Sequence, residues 1–83
     1  MNLIETAKFK KLRKKIRNNE EREELKGAIK VILANPDAGK KLKGEFKDLR
    51  SLRYNVSGQH RRMIYKKEPG SIILLSFGPR EGI

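Results

Sequence analysis

Eighty-three residues suffice for one domain with a thin core and leave no room for a second. Twenty-one Lys and Arg face ten Asp and Glu, a net charge of +11, so the partners to expect are polyanions: RNA, DNA, ribosomes or acidic proteins. The absence of cysteine excludes disulfides, thiolate metal sites and thiol nucleophiles. A single histidine among scattered acids gives no basis for a metal or other cofactor. No apolar run has the length of a membrane span or the place of a signal peptide, and a cytoplasmic protein is expected.

The charge is unevenly spread. Residues 1–35 hold ten basic and five acidic groups, residues 36–67 ten and three, and residues 68–83 one and two, so the positive field peaks over the middle of the chain. In chain order, Asn2-Leu3-Ile4-Glu5 has the composition of a short strand. Thr6 stands where a helix N-cap would stand. Phe9, Leu12 and Ile16 then recur at helical spacing over residues 7–17, backed by a basic stripe that is either a phosphate contact or a solvated face. Asn18-Asn19 breaks this helix, and Asn19 suits the N-cap of a second. Four glutamates, Glu20, Glu21, Glu23 and Glu24, crowd its first turn, where they complement the helix dipole. Leu25, Ile29, Ile32 and Leu33 form its apolar face, and Asn35-Pro36 ends it. Two amphipathic helices with so short a link predict an antiparallel hairpin.

Residues 37–46 read as an irregular segment hinged at Gly39 and Gly44. Lys40, Lys41, Lys43 and Lys47 gather in and beside it. Gly39-Lys40-Lys41 is not a nucleotide-binding loop, because the earlier glycine and the Ser or Thr after the lysine are both missing. Loose lysines of this kind suit contacts to an RNA backbone. Leu52, Tyr54 and Val56 alternate with Arg53 and Asn55, the period of a half-buried strand. The chain turns at Ser57-Gly58 or Gly58-Gln59. On the next strand Met63 and Tyr65 share one face, and Arg62 and Ile64 the other. Glu68-Pro69-Gly70-Ser71 fits a type II turn, and Ile72-Ile73-Leu74-Leu75 predicts a strand covered on both faces. The expected class is α+β: a short N-terminal strand, an antiparallel helical hairpin, then a three-stranded antiparallel meander, all in one domain, 1–83.

Arginine is the strongest chemical signal. Arg50, Arg53, Arg61 and Arg62 stand along the two hairpin strands, which are expected to face RNA, and Arg80 follows the third. Arg53, Arg62 and Arg80 lie on neighbouring strands and are expected to converge on one patch. The guanidinium fork matches phosphate, and fixed cations aimed at a phosphate under 2′-hydroxyl attack stabilise its growing charge. Arginine moves protons poorly, and no acid–base pair is evident. His60, beside a turn, reads as a surface histidine. The residues alone leave two readings open, simple polyanion binding and catalysis.

Four segments resemble the RelE/ParE toxin superfamily: Gly39-Lys40-Lys41-Leu42-Lys43-Gly44, Leu49-Arg50-Ser51-Leu52-Arg53, Arg62-Met63-Ile64-Tyr65 and Gly78-Pro79-Arg80-Glu81. The resemblance covers nearly the whole chain and implies a sheet flanked by a helical pair. In the RelE branch it implies the toxin of a type II toxin–antitoxin system: a ribosome-dependent endoribonuclease that cuts translated messenger RNA, inhibits protein synthesis and is neutralised by a cognate antitoxin that wraps it. Arg53, Arg62 and Arg80 match basic positions of that branch as catalytic residues. Lys40, Lys41, Lys43, Lys47, Arg50 and Arg61 are the accompanying RNA-binding cations. The pattern departs at Asn55, where some RelE-type toxins carry lysine, and at Pro79, where many relatives carry histidine. A tyrosine frequent soon after the terminal arginine is also missing before Ile83, either through truncation or with weaker chemistry. The resemblance also admits a ParE-like inhibitor of DNA gyrase, or an inactive relative that contacts DNA as a co-repressor with its antitoxin.

Overall fold

The computed structural model describes residues 1–79. The chain runs β1 (Asn2–Glu5), α1 (Ala7–Lys14), α2 (Asn19–Ala34), β2 (Lys40–Lys41), a 3₁₀ turn (Gly44–Phe46), β3 (Leu49–Val56), β4 (Gln59–Glu68) and β5 (Ser71–Pro79). One five-stranded sheet is ordered β1-β5-β4-β3-β2. The expected α+β class and meander are present in β3, β4 and β5. The N-terminal strand lies parallel beside β5, pairing Asn2 with Ser71 and Glu5 with Leu74.

Local chemistry explains the boundaries. The Thr6 hydroxyl accepts from the Phe9 amide at 3.3 Å and donates to the Leu74 carbonyl at 2.8 Å, so one side chain starts α1 and anchors it to β5. The helix ends at Lys14, earlier than its apolar spacing suggests. Ile16 is still buried, just past a tightened last turn. The second cap is Asn18, one residue before the expected Asn19; its Oδ1 accepts from Glu20 N at 2.7 Å. On α2 the buried residues are Leu25, Ala28 and Ile32. Leu33 is exposed, because at about 100° per residue it lies too far round the helix from Ile32 and Ala28. The hairpin turn is Ser57-Gly58, with φ of 51° and 82° at the two residues, and Gly70 at φ 74° occupies the third position of the type II turn.

Both helices cover the same face of the sheet, α1 over β5 and α2 over β3. The core between them comprises Phe9, Ile32, Tyr54, Met63, Tyr65, Ile72, Leu74 and Phe77. Phe9 meets Phe77 edge-on at a centroid distance of 5.0 Å. A register shift at Ile64/Tyr65 leaves one extra residue on β5 between Leu74 and Ser76. The apolar run Ile72-Ile73-Leu74-Leu75 is divided: Ile72 and Leu74 are buried in the core, whereas Ile73 and Leu75 are half-buried.

Candidate nucleic-acid interface

The face of the sheet away from the helices is built from the alternate residues of each strand. One cross-strand row is Lys40, Ser51, Ile64 and Ser76. The next is Arg53, Arg62 and Gly78, and the one after it Asn55 and His60. Arg53 and Arg62 are therefore direct cross-strand partners, at a spacing where like charges repel unless an anion lies between them. Among the described residues neither has an acidic partner.

The segment after α2 supplies the other wall. The sequence predicts it as irregular, but Lys40 and Lys41 form a two-residue strand on the edge of β3, pairing with Ser51 and Arg50. This brings Lys40, Lys41 and Lys43 to a groove of about 530 Å³ that they line with Ser51, Arg53 and Arg62. Among the described residues no acidic side chain lines it. Its volume lies in the usual range for small-ligand sites, about 300–1,000 Å³. Five cations line it, and guanidinium and ammonium groups are the chemical complements of phosphate. Its described lining holds no His, Tyr or carboxylate, so what it offers most plainly is charge stabilisation. His60 sits nearby, in a hollow of about 90 Å³ shared with Arg53, Arg61 and Arg62.

Other expected site residues lie elsewhere. Lys47 lines a second hollow with Lys41, Asp48 and Lys66. Arg61 and Arg50 belong to the helix-side face, and that placement separates them from the groove. The Arg61 guanidinium donates to Glu21 of α2 at 2.9 Å, with both side chains more than four-fifths buried. Arg50 is paired with Asp37 at 3.1 Å and donates to the Gly39 carbonyl at 2.8 Å. Their strand positions, one residue away from Arg62 and one pair away from Ser51, contained this signal: a side chain in step with Met63 and Tyr65 faces the core. Arg80 lies outside the described residues. Ser51, buried at 8% exposure on the groove floor, was not anticipated. Its neighbours on the strand are basic or apolar, and only the register reveals where it points.

Perturbed protonation is found away from the groove. On the helix side, burial pushes the Tyr54 phenol up to about 12. Burial likewise raises Tyr65. The hydrogen bond from Lys67 holds the Asp37 carboxyl below its ordinary range. Among the described residues no cluster of His, Cys, Asp or Glu is placed to hold a metal ion, and no helix is long and apolar enough to cross a membrane.

The site is thus a basic groove on the open face of a helix-backed sheet, and comparison assigns the family. Residues 3–83 match the ParE-like toxins of type II bacterial toxin–antitoxin systems, and the chain belongs to that family within the RelE/ParE superfamily. No curated protein matches the chain. Among solved structures, a chain of the intact E. coli RelBE toxin–antitoxin complex is similar with a TM-score of 0.74, 24% identity and 94% coverage of each chain. Free E. coli RelE carrying two arginine-to-alanine changes is similar at TM-score 0.74 and 24% identity, over 98% of this chain and 84% of that one. A copper-bound mutant toxin from Helicobacter pylori gives TM-score 0.62 and 17% identity, over 100% and 98%.

Proposed function

We propose that this toxin is a ribosome-dependent endoribonuclease that cuts translated messenger RNA and thereby inhibits protein synthesis. The observation that carries the reading is the Arg53–Arg62 cross-strand pair, without acidic partners among the described residues, set in a groove with three lysines. When the 2′-hydroxyl of a nucleotide attacks the adjacent phosphate, negative charge accumulates on the phosphate oxygens. Two guanidinium groups carried side by side on paired strands meet that charge, an effect of about 3–4 kcal/mol per well-placed donor. Lys40, Lys41 and Lys43 hold the flanking backbone, and Arg80 is proposed as a third catalytic cation from its sequence position. The groove itself lacks an acid and a base, which fits an enzyme that acts only where ribosomal RNA positions the message. Its partner is a cognate antitoxin, acidic or amphipathic, laid along the basic surfaces. The site of action is the cytoplasm.

The test is cell-free translation with purified protein, mapping message 5′ ends with and without ribosomes. Cuts that require ribosomes and disappear with Arg62→Ala are expected. Intact messages would discard the nuclease reading in favour of a ParE-like inhibitor of DNA gyrase. That second reading draws on the family match and on the missing proton-transfer groups, and DNA breaks trapped on gyrase would mark it.

A further inference from the structure

We propose that Tyr65, Arg50, Lys67 and Asp37 form a clamp that holds the lysine arm, residues 40–43, beside the Arg53–Arg62 pair. The phosphate-binding capacity of the groove is then set from the opposite face of the sheet. This inference rests on the polyanion reading of the groove.

Tyr65 is fully buried, and its hydroxyl serves the loop that precedes the arm. It donates to the Pro36 carbonyl at 2.7 Å and accepts from the Gly39 amide at 2.9 Å. The approach requires glycine, since a Cβ at Gly39 would stand 2.6 Å from the Tyr65 oxygen. Arg50 is the cross-strand partner of Tyr65. It donates to the carbonyls of Gly39 at 2.8 Å and Asp37 at 3.3 Å and pairs with the Asp37 carboxylate. Lys67, two residues beyond Tyr65 on the same face, reaches Asp37 at 2.9 Å. Tyr65 and Arg50 thus take up the backbone of residues 36–39, and Lys67 holds the Asp37 carboxylate between them.

Little else holds the arm. It contributes a strand of two residues at the sheet edge, one further hydrogen bond from the Leu42 amide to the Leu49 carbonyl, and exposed lysines. So short an edge strand does not persist on its own hydrogen bonds. The four clamp residues are positioning residues: they do not line up with the Arg53–Arg62 pair, but they decide whether three of the five groove cations stand near it.

The experiment uses the full chain and a short single-stranded RNA oligonucleotide, measuring affinity as a function of salt. Each phosphate contact to a single strand contributes about 0.7 to the slope of log affinity against log salt. Tyr65→Phe removes no charge, yet the clamp requires its slope to become shallower by about 2, the share of three lysines. The Lys40→Ala/Lys41→Ala/Lys43→Ala variant should lose the same amount, and combining the two should lose no more than either alone. Amide exchange should accelerate at residues 39–42 while α2 and β4 stay protected. A folded Tyr65→Phe with the original slope, or with arm amides as protected as before, overturns the clamp. Asp37→Asn repeats the test at an exposed position should Tyr65→Phe not fold. It makes the protein more positive, so plain electrostatics predicts tighter binding; the clamp predicts a shallower slope, and tighter binding at an unchanged slope refutes it. If the unmodified protein binds RNA weakly and without salt dependence, the reading of the groove fails, and amide exchange still decides whether the clamp holds the arm.

Discussion

The two faces of the central sheet use the same residue type for opposite purposes. Arg61 and Arg62 are neighbours in sequence. Arg61 turns toward α2, where Glu21 neutralises it out of reach of most solvent. Arg62 turns the other way and faces Arg53 across the strands with no counter-charge among the described residues. The helix side has its cations matched to carboxylates or carbonyls, as burial demands. Among the described residues the open side leaves like charges side by side, a conflict that an external anion would relieve. A one-residue step along a strand therefore separates a cation that holds the fold together from one available to a ligand, although both contribute equally to net charge.

The sharpest way to break this comparison is to remove each arginine in turn. Arg62→Ala should lower ribosome-dependent message cleavage by about 10²–10³-fold, with stability changed by no more than about 0.5 kcal/mol. Arg61→Ala should do the reverse, leaving the Glu21 carboxylate half-desolvated and costing about 1.5–3 kcal/mol, with cleavage by the folded protein nearly intact. Denaturant titration of both variants, alongside the cleavage assay, checks the pair. If the two variants lose cleavage equally at equal stability, the division between the faces is wrong.

Alkali should expose the difference next. The chain has only two tyrosines, and both lie on the packed face, with Tyr54 pushed up to about 12 and Tyr65 also raised, each chiefly by burial. The fold favours the neutral phenol, so its folded pKa lies above the unfolded value of about 10. That contribution to stability is complete below about pH 10 and is lost as pH rises toward 12 for Tyr54. Tyrosinate absorbance should therefore stay low at pH 10, where a free tyrosine is half ionised, and rise together with unfolding. A normal titration with the fold intact would show that these hydroxyls are not buried as described.

How much of this was legible follows from the length of each pattern. The helices announced themselves through Phe9, Leu12 and Ile16 and through Leu25, Ile29 and Ile32, and the turns through Ser57-Gly58 and Pro69-Gly70. These signals are local, and local chemistry suffices to read them. The two-residue strand at Lys40 and Lys41 was not legible, because two lysines carry no alternation and their placement depends on a buried tyrosine 24 residues beyond Lys41. Asp37 and Tyr65 looked unremarkable for the same reason: their roles are long-range. The arginine patch was half legible. Its composition was plain, but grouping Arg50 and Arg61 with Arg53 and Arg62 neglected the parity that the apolar residues had already set. Lys40, Lys41 and Lys43 do reach the groove, while Lys47 lines another hollow.

The smallest effect tests that parity from the opposite direction. Asn55 follows Arg53 by two residues, stands opposite His60 and is exposed on the open face. It is also a position where some RelE-type toxins carry lysine. Asn55→Lys should extend the cationic row by one phosphate contact and steepen the salt dependence of RNA binding by about 0.7. It should change stability by no more than about 0.5 kcal/mol, since nothing is displaced from the core. Val56→Lys supplies the contrast: it places the same charge one residue further along the same strand but in the buried core. Burying an unpaired ammonium there should cost several kcal/mol and give no binding benefit. Equal slopes for Asn55→Lys and the parent would mean that RNA does not extend along β3 beyond Arg53, and would confine the interface to the groove between that residue and the lysine arm.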